Sequence, residues 1–329
     1  MMILIYSVAL LLFGCVQNQQ LSEAQLAVRN EKLYTLIGDL YYQGRLVSVN
    51  KSKAKKFWIQ ACNHGSVESC YNMGLFLKRS DKSKALSFFE RACEKSHTEA
   101  CFEAGILHHE DENFAEAHKL YEKVCQEAKQ KEGCYNLGIL YSDQEKHSEA
   151  IPYFEQSCTL GYSDGCFATG VAFIKTNNDE KAFDYFQKSC DKDIAQGCYY
   201  VGGKYLAQEK HSEAMTYLEK SCTLGFNDGC SEMGNEYAKQ GQILNRQENY
   251  EEAFKAFIQA CEYSSPEGCL QAGIFLKVLG DSAEAESMFM KSCNIGARKG
   301  FLEGCFNSKY CTDRESPECT EFIMRKLSY

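Results

Sequence analysis

Cysteine is the residue of this 329-residue chain most able to do chemistry: there are 19, and their spacing restricts what that chemistry is. Seven pairs recur, Cys62 and Cys70, Cys93 and Cys101, Cys125 and Cys134, Cys158 and Cys166, Cys190 and Cys198, Cys222 and Cys230, Cys261 and Cys269, eight residues apart or, once, nine. Cys293 is followed by Cys305, and Cys311 and Cys319 return to the spacing of eight. Metal ligation and disulfide formation compete for such thiols. Zinc sites favour cysteines roughly two to four residues apart, and the chain has no Cys-x-x-Cys. Disulfides within pairs are therefore expected, each closing a short loop worth about 2.5 kcal/mol on the chain-entropy account. Such pairing leaves Cys15 over.

The other reactive strings are weaker. Ser-x-x-Lys begins at Ser48, Ser52 and Ser189, against about two occurrences expected by chance, and no Ser-Asp-Asn or Lys-Thr-Gly completes a penicillin-recognising site. Gly161-Tyr162-Ser163-Asp164-Gly165 has the nucleophile-elbow string, but that motif needs a strand ahead of a strained turn, and a second copy of the segment carries Asn227 in place of Ser163. His108, His109, Glu110 and Asp111 resemble a metal cluster, yet adjacent histidines point to different helical faces, and a polar helix end is the better reading. His147 and His211 recur in copies of Gln-Glu-Lys-His-Ser-Glu-Ala and are expected in loops. No catalytic residue, metal or cofactor is assigned. A net charge of -9 repels phosphate backbones, which argues against nucleic acid as a partner.

The elements that position these residues follow from a repeat. The first Cys of successive pairs advances by 31, 32, 33, 32, 32, 39 and 32 residues, the period of a two-helix solenoid unit. Eight residues before each first Cys stands Ala, from Ala54 to Ala285, and four before it a large apolar residue, from Trp58 to Phe289. Ala, aromatic and Cys at i, i+4 and i+8 form one helical stripe. Four residues after each second Cys stands Gly: Gly74, Gly105, Gly138, Gly170, Gly202, Gly234 and Gly273. A Gly inside a helix costs about 1 kcal/mol against Ala, so its recurrence predicts a neighbouring helix too close for a side chain. Each unit therefore has a helix A starting near the second Cys and a helix B ending just past the next first Cys. Ser265-Pro266-Glu267 is a helix start, and Gly161 and Gly225 stand where helix B should stop. Residues 144–166 and 208–230 match at 17 of 23 positions, the mark of a duplicated two-repeat block. Gly241 to Asn249 adds about seven residues to one unit, as a longer loop or extended helices.

The apolar run Ile3 to Phe13 is too short to cross a bilayer, which takes about 20 residues, and reads as the core of a secretory signal. Leu12-Phe13-Gly14-Cys15 resembles a bacterial lipobox, and lipidation of Cys15 accounts for the unpaired thiol. The expected organisation is a signal peptide (1–14), a tether (15–30), a solenoid (31–305) and a C-terminal cap (306–329), in a protein exported to the periplasm, held as an outer-membrane lipoprotein, or secreted.

Ala-x-x-x-aromatic-x-x-x-Cys followed by Cys-x-x-x-Gly resembles the Sel1-like repeat in its cysteine-rich form, as in the Helicobacter cysteine-rich protein family, across about residues 31–305. The resemblance implies an all-α fold, an α/α superhelical solenoid of about seven to eight Sel1-like, tetratricopeptide-related helix-turn-helix repeats with a concave binding face. It also implies a scaffold for a protein, peptide or cell-wall ligand, monomeric and touching membrane only through a lipid anchor. In some relatives it implies binding or slow hydrolysis of β-lactams, so a β-lactamase-like or penicillin-binding hydrolase is the alternative. Cysteine-rich relatives suggest a third role, assembly in the mitochondrial intermembrane space, for which the N-terminus lacks the Arg and Ser of a transit peptide.

Overall fold

The computed structural model describes residues 23–296 and 303–308, and among them every regular element is helical. Cys15, Cys311 and Cys319 lie outside the described residues, as does most of the expected cap. The chain divides between Leu140 and Tyr141 into two compact units. The first holds α1 (Glu23–Gln43), α2 (Lys51–Asn63), α3 (Val67–Leu77), α4 (Lys82–Cys93), α5 (Thr98–Glu110), α6 (Phe114–Gln126) and most of α7 (Lys131–Asp143). The second holds α8 (His147–Thr159), α9 (Ser163–Lys175), α10 (Asp179–Asp191), α11 (Ala195–Ala207), α12 (His211–Thr223), α13 (Asn227–Arg246), α14 (Tyr250–Glu262), α15 (Pro266–Val278), α16 (Ser282–Gly296) and the short α17 (Glu303–Asn307). Odd-numbered helices from α3 to α15 are helices A and even-numbered ones helices B. The fold is an all-α helical-repeat solenoid. Residues 23–30 form the first turns of α1.

The stripe of Ala, large apolar residue and Cys on each helix B is the core. In the first unit Ala54, Ala85 and Ala117 are fully buried and Trp58, Phe89 and Tyr121 nearly so; in the second, Ala150, Ala182, Ala214, Ala253, Phe154, Phe186, Leu218, Phe257 and Phe289 repeat the pattern. The large residue drives into the recurrent Gly of the preceding helix A. A Cβ on Gly74 would stand 2.4 Å from Phe89 Cε1, and one on Gly170 2.7 Å from Phe186. Real Cβ atoms do not approach that closely in a close-packed core, which is why Gly is retained despite its helical cost. Gly234 departs from this rule. A Cβ there would meet the carbonyl oxygens of Tyr263 and Ala260, and Gly241 takes the aromatic contact with Phe257 instead. The cause is the inserted segment, which lengthens α13 to 20 residues and leaves the following turn short. Seven residues are close to two helical turns, so the buried face is restored with an axial shift of about 10 Å.

Most turns between helices are tight and carry one residue with positive φ. After α8, Gly161 adopts φ 93°. Its N–H donates to the Cys158 carbonyl and the Tyr162 N–H to the Ser157 carbonyl, each at 3.0 Å, the pattern that satisfies the last carbonyls of a helix. At N-termini, Asn50 accepts from the Lys53 N–H at 2.9 Å and Ser265 from the Gly268 N–H at 3.2 Å, with Pro266 in the first turn.

Disulfides clasp the end of each helix B to the start of the next helix A. Cys62–Cys70, Cys93–Cys101 and Cys125–Cys134 lie in the first unit. Cys158–Cys166, Cys190–Cys198, Cys222–Cys230, Cys261–Cys269 and Cys293–Cys305 lie in the second. So many disulfides point to an oxidising compartment outside the reduced cytoplasm. A basic residue two before the first Cys reinforces several clasps by donating to the carbonyl of the previous first Cys: Arg91 to Cys62 at 3.1 Å, Lys123 to Cys93 at 3.3 Å and Lys220 to Cys190 at 2.7 Å. Each cation meets the negative end of a helix whose last carbonyls lack intrahelical partners.

Candidate binding surface

The reactive strings are consumed by the fold. Ser52 is exposed in the first turn of α2, with Ser48 in the loop before it. Ser189 is fully buried and donates its hydroxyl to the Phe186 carbonyl at 2.8 Å. Ser163 opens α9 directly after the Gly161 turn, and the element before that turn is helix α8, not a strand. His108 is buried, with Nε2 3.1 Å from Glu90 Oε1 and Nδ1 3.3 Å from the Asn113 amide, whereas His109 meets the rings of Phe114 and Tyr121. The neighbouring histidines thus serve different faces. Among the described residues, no three His, Cys, Asp or Glu side chains gather as a metal site.

His147 and His211 are not loop residues: each is the first residue of a helix, α8 and α12, with Lys146 and Lys210 at the caps. His211 Nδ1 lies 3.0 Å from Oε2 of Glu236, and Lys239 binds the other carboxylate oxygen at 2.5 Å. That hydrogen bond raises the Lys239 pKa, and burial opposes it. Glu236 is buried on α13, and sequence reasoning passed over it. The signal lay in the duplicated block's continuation, where the residue corresponding to Glu236 is Ala172, so the acidic group belongs to the second copy alone.

Two cavities open in the second unit. One of about 480 Å³ lies between α12 and α13, lined by His211, Met215, Glu236, Lys239, Ile243 and Leu244, where the lengthened α13 outruns its partner. The other, of about 360 Å³, lies among α9, α10 and α11, with Ile174, Phe183, Phe186, Tyr199, Tyr200, Gly203 and Lys204 in its walls. Large apolar side chains are presented on the helices A around them. Ile174 is 42% exposed, Tyr200 46% and Ile243 54%; away from the cavities, Val278 at the end of α15 is 83% exposed. In the first unit Leu75 on α3 is similarly open, beside a smaller cavity of about 210 Å³ bounded by Asp39, Tyr42, Trp58 and Phe76. Tyr200, Leu75, Val278 and Ile243 stand two, five, nine and thirteen residues after the second Cys, on the helix A face opposite its buried Cys and Gly, and Ile174, eight residues after, lies at the edge of that face. Apolar side chains held open on rigid helices can desolvate against a partner.

Comparison with known proteins agrees with this architecture. The Sel1 repeat family matches residues 34–66, 69–97, 166–194 and 195–226, and the tetratricopeptide repeat matches 132–160. No curated protein sequence matches the chain. Among solved structures, c5321, a protective antigen of uropathogenic Escherichia coli strains with an SLR fold, is 17% identical, with a TM-score of 0.53 over 92% of this chain and 78% of its own. A Sel1 repeat protein from Oxalobacter formigenes is 19% identical, with a TM-score of 0.46 over 61% of this chain and 88% of its own. YrrB, a tetratricopeptide repeat protein with an unusual peptide-binding site, is 21% identical, with a TM-score of 0.40 over 51% of this chain and 92% of its own. The class is therefore a helical-repeat protein. The matched segments are similar to Sel1 and tetratricopeptide repeats, and no described helix is long and apolar enough to cross a membrane.

Proposed function

We propose that this protein is an exported, disulfide-clasped scaffold of the cysteine-rich Sel1 kind that binds a protein or peptide on the face formed by the helices A of its second unit. The observation that carries the reading is the set of open apolar side chains, Ile174, Tyr200 and Ile243, standing beside cavities in the second unit. Repeat stacking makes such a face long enough to take an extended segment. Binding of the purified oxidised protein to an array of random peptides tests it. Selective capture that disappears on reduction supports the reading, and absence of binding to any peptide overturns it. Purified cell-wall sacculi form a parallel arm, because a cell-wall ligand engages the same face.

Export and a lipid anchor at Cys15 belong to the same proposal, with the chain acting as a monomer tethered to the outer membrane or released. Cys15→Ala should free it from membranes and abolish labelling by a palmitate analogue; unchanged attachment removes the anchor from the proposal. Hydrolysis of β-lactams is not part of the reading, since the Ser189 hydroxyl is committed to a backbone carbonyl and Ser52 stands in solvent on a helix end.

A further inference from the structure

Helix α11 carries two adjacent glycines, and packing demands only one of them. A Cβ on Gly202 would stand 2.8 Å from Leu218 Cγ, so that position is held small by its neighbour. A Cβ on Gly203 would meet nothing within 4 Å, and the residue is exposed. Gly is the poorest helix former after Pro, so an unneeded Gly in mid-helix is a local conflict of the kind that marks functional positions.

The other repeats show what Gly203 replaces. Five residues after the second Cys stand Leu75, Ile106, Ile139, Val171, Asn235 and Ile274, an apolar side chain in five of six cases. In α11 that side chain is missing, and the cavity of about 360 Å³ lies where it would project. Tyr200 leans on the buried Phe186 with ring centroids 4.5 Å apart and planes 9° from parallel, which fixes one wall. Ile174 and Phe183 supply others. The volume sits at the lower end of ligand pockets, about 300–1,000 Å³, and suits one large apolar side chain.

The surroundings are acidic. At one rim Lys204 is neutralised by Asp179 at 3.5 Å. On the other side Tyr199 resists ionisation, first because it is partly desolvated and then because Glu232 and Asp228 lie near. Asp228, Glu232 and Glu236 follow one another at i, i+4 and i+8 on α13, and that helix has no basic residue before Lys239. Asp228 is exposed and Glu232 half-buried, and both lie near Tyr199, which lines the cavity.

Resting on the scaffold reading above, we infer that the Gly203 cavity is an anchor site for one Phe or Leu side chain of a polypeptide that carries Lys or Arg next to that residue. The anchor fills the space vacated at Gly203 and stacks on Tyr200, while its basic neighbours meet Asp228 and Glu232. Burying an apolar anchor in a preformed pocket supplies affinity, and the charges supply selectivity.

Three labelled peptides test this by fluorescence anisotropy with the full oxidised chain: one with Phe between lysines, one with Phe between glutamates, and one with Ala between lysines. The first should bind at least ten times more tightly than either of the others, and added salt should weaken it. Gly203→Leu should reduce that affinity at least tenfold without lowering the melting temperature, because Leu is the better helix former and projects into open space. Tyr200→Ala should act in the same direction, and Glu232→Lys should remove the preference for lysine over glutamate. Equal binding of the two Phe peptides, or unchanged affinity in both Gly203→Leu and Tyr200→Ala, overturns the inference. If the wild-type chain binds random-array peptides yet Gly203→Leu binds them equally well, the scaffold reading survives and the anchor site does not. Binding to no peptide of either set rejects both.

Discussion

Gly241 of α13 faces Phe257 of α14 so closely that a Cβ on the glycine would stand 2.7 Å from the ring. Gly234, the residue in the repeat's usual glycine position, faces the turn after α14 instead. Two extra helical turns have thus moved the contact seven residues along the chain while keeping it on the same helical face.

Gly241→Ala should destabilise the second unit by about 1–3 kcal/mol, since the added methyl overpacks a buried ring. Gly203→Ala should instead stabilise it by up to about 1 kcal/mol, because the same methyl meets open space and relieves a poor helix former. Thermal unfolding of the two variants checks the pair of signs. Equal effects in the same direction would show that the glycine contacts do not control packing.

Replacing Cys190 and Cys198 together by Ser should lower stability by about 2.5 kcal/mol, the entropy of freeing a nine-residue loop in the unfolded chain. Non-reducing peptide mapping of the wild type should find Cys190 joined to Cys198 and no link between distant repeats. Denaturant unfolding with and without reductant measures the contribution of all clasps at once.

Pro152 lies inside α8 with its ring exposed, and the residue 64 positions later in the duplicated block is Thr216. A Pro here lacks the amide proton that would bond four residues back. Pro152→Thr should therefore raise stability by about 2 kcal/mol. An unchanged or lower melting temperature would show that the first turns of α8 already accommodate the ring.

The Tyr185 hydroxyl donates to Glu155 Oε1 at 2.9 Å. Partial burial, that hydrogen bond and the carboxylate charge push its pKa from 10.0 up to about 12. The native phenol holds its proton more tightly than the unfolded one, so its contribution to stability is complete below pH 10 and is lost as the pH rises through 12. Ultraviolet titration should show this tyrosine ionising late. Glu155→Gln should return it toward 10, and an unchanged titration would assign the shift to burial alone.

Much of the architecture was legible in the chain because its causes are local and repeated. Ala, aromatic and Cys at a spacing of four define a buried stripe whatever surrounds them, and Cys62 with Cys70 can only join helices that meet within eight residues. The turn at Gly161 follows equally from nearest neighbours, since a left-handed residue is what ends such a helix. What the chain did not disclose depends on packing between residues remote in sequence. The insertion could have been a loop; seven residues match two turns, and burial of Phe257 against Gly241 settled that it lengthens α13. His211 read as a loop residue until the same lengthened helix brought Glu236 beside it. Gly202 stands in the repeat's glycine register and Gly203 does not, but only the contact of the first with Leu218 and the open space at the second show that one glycine is required and the other leaves a cavity open. Periodicity states which face of a helix is buried, whereas the identity of the atom across the gap is a property of the assembled structure.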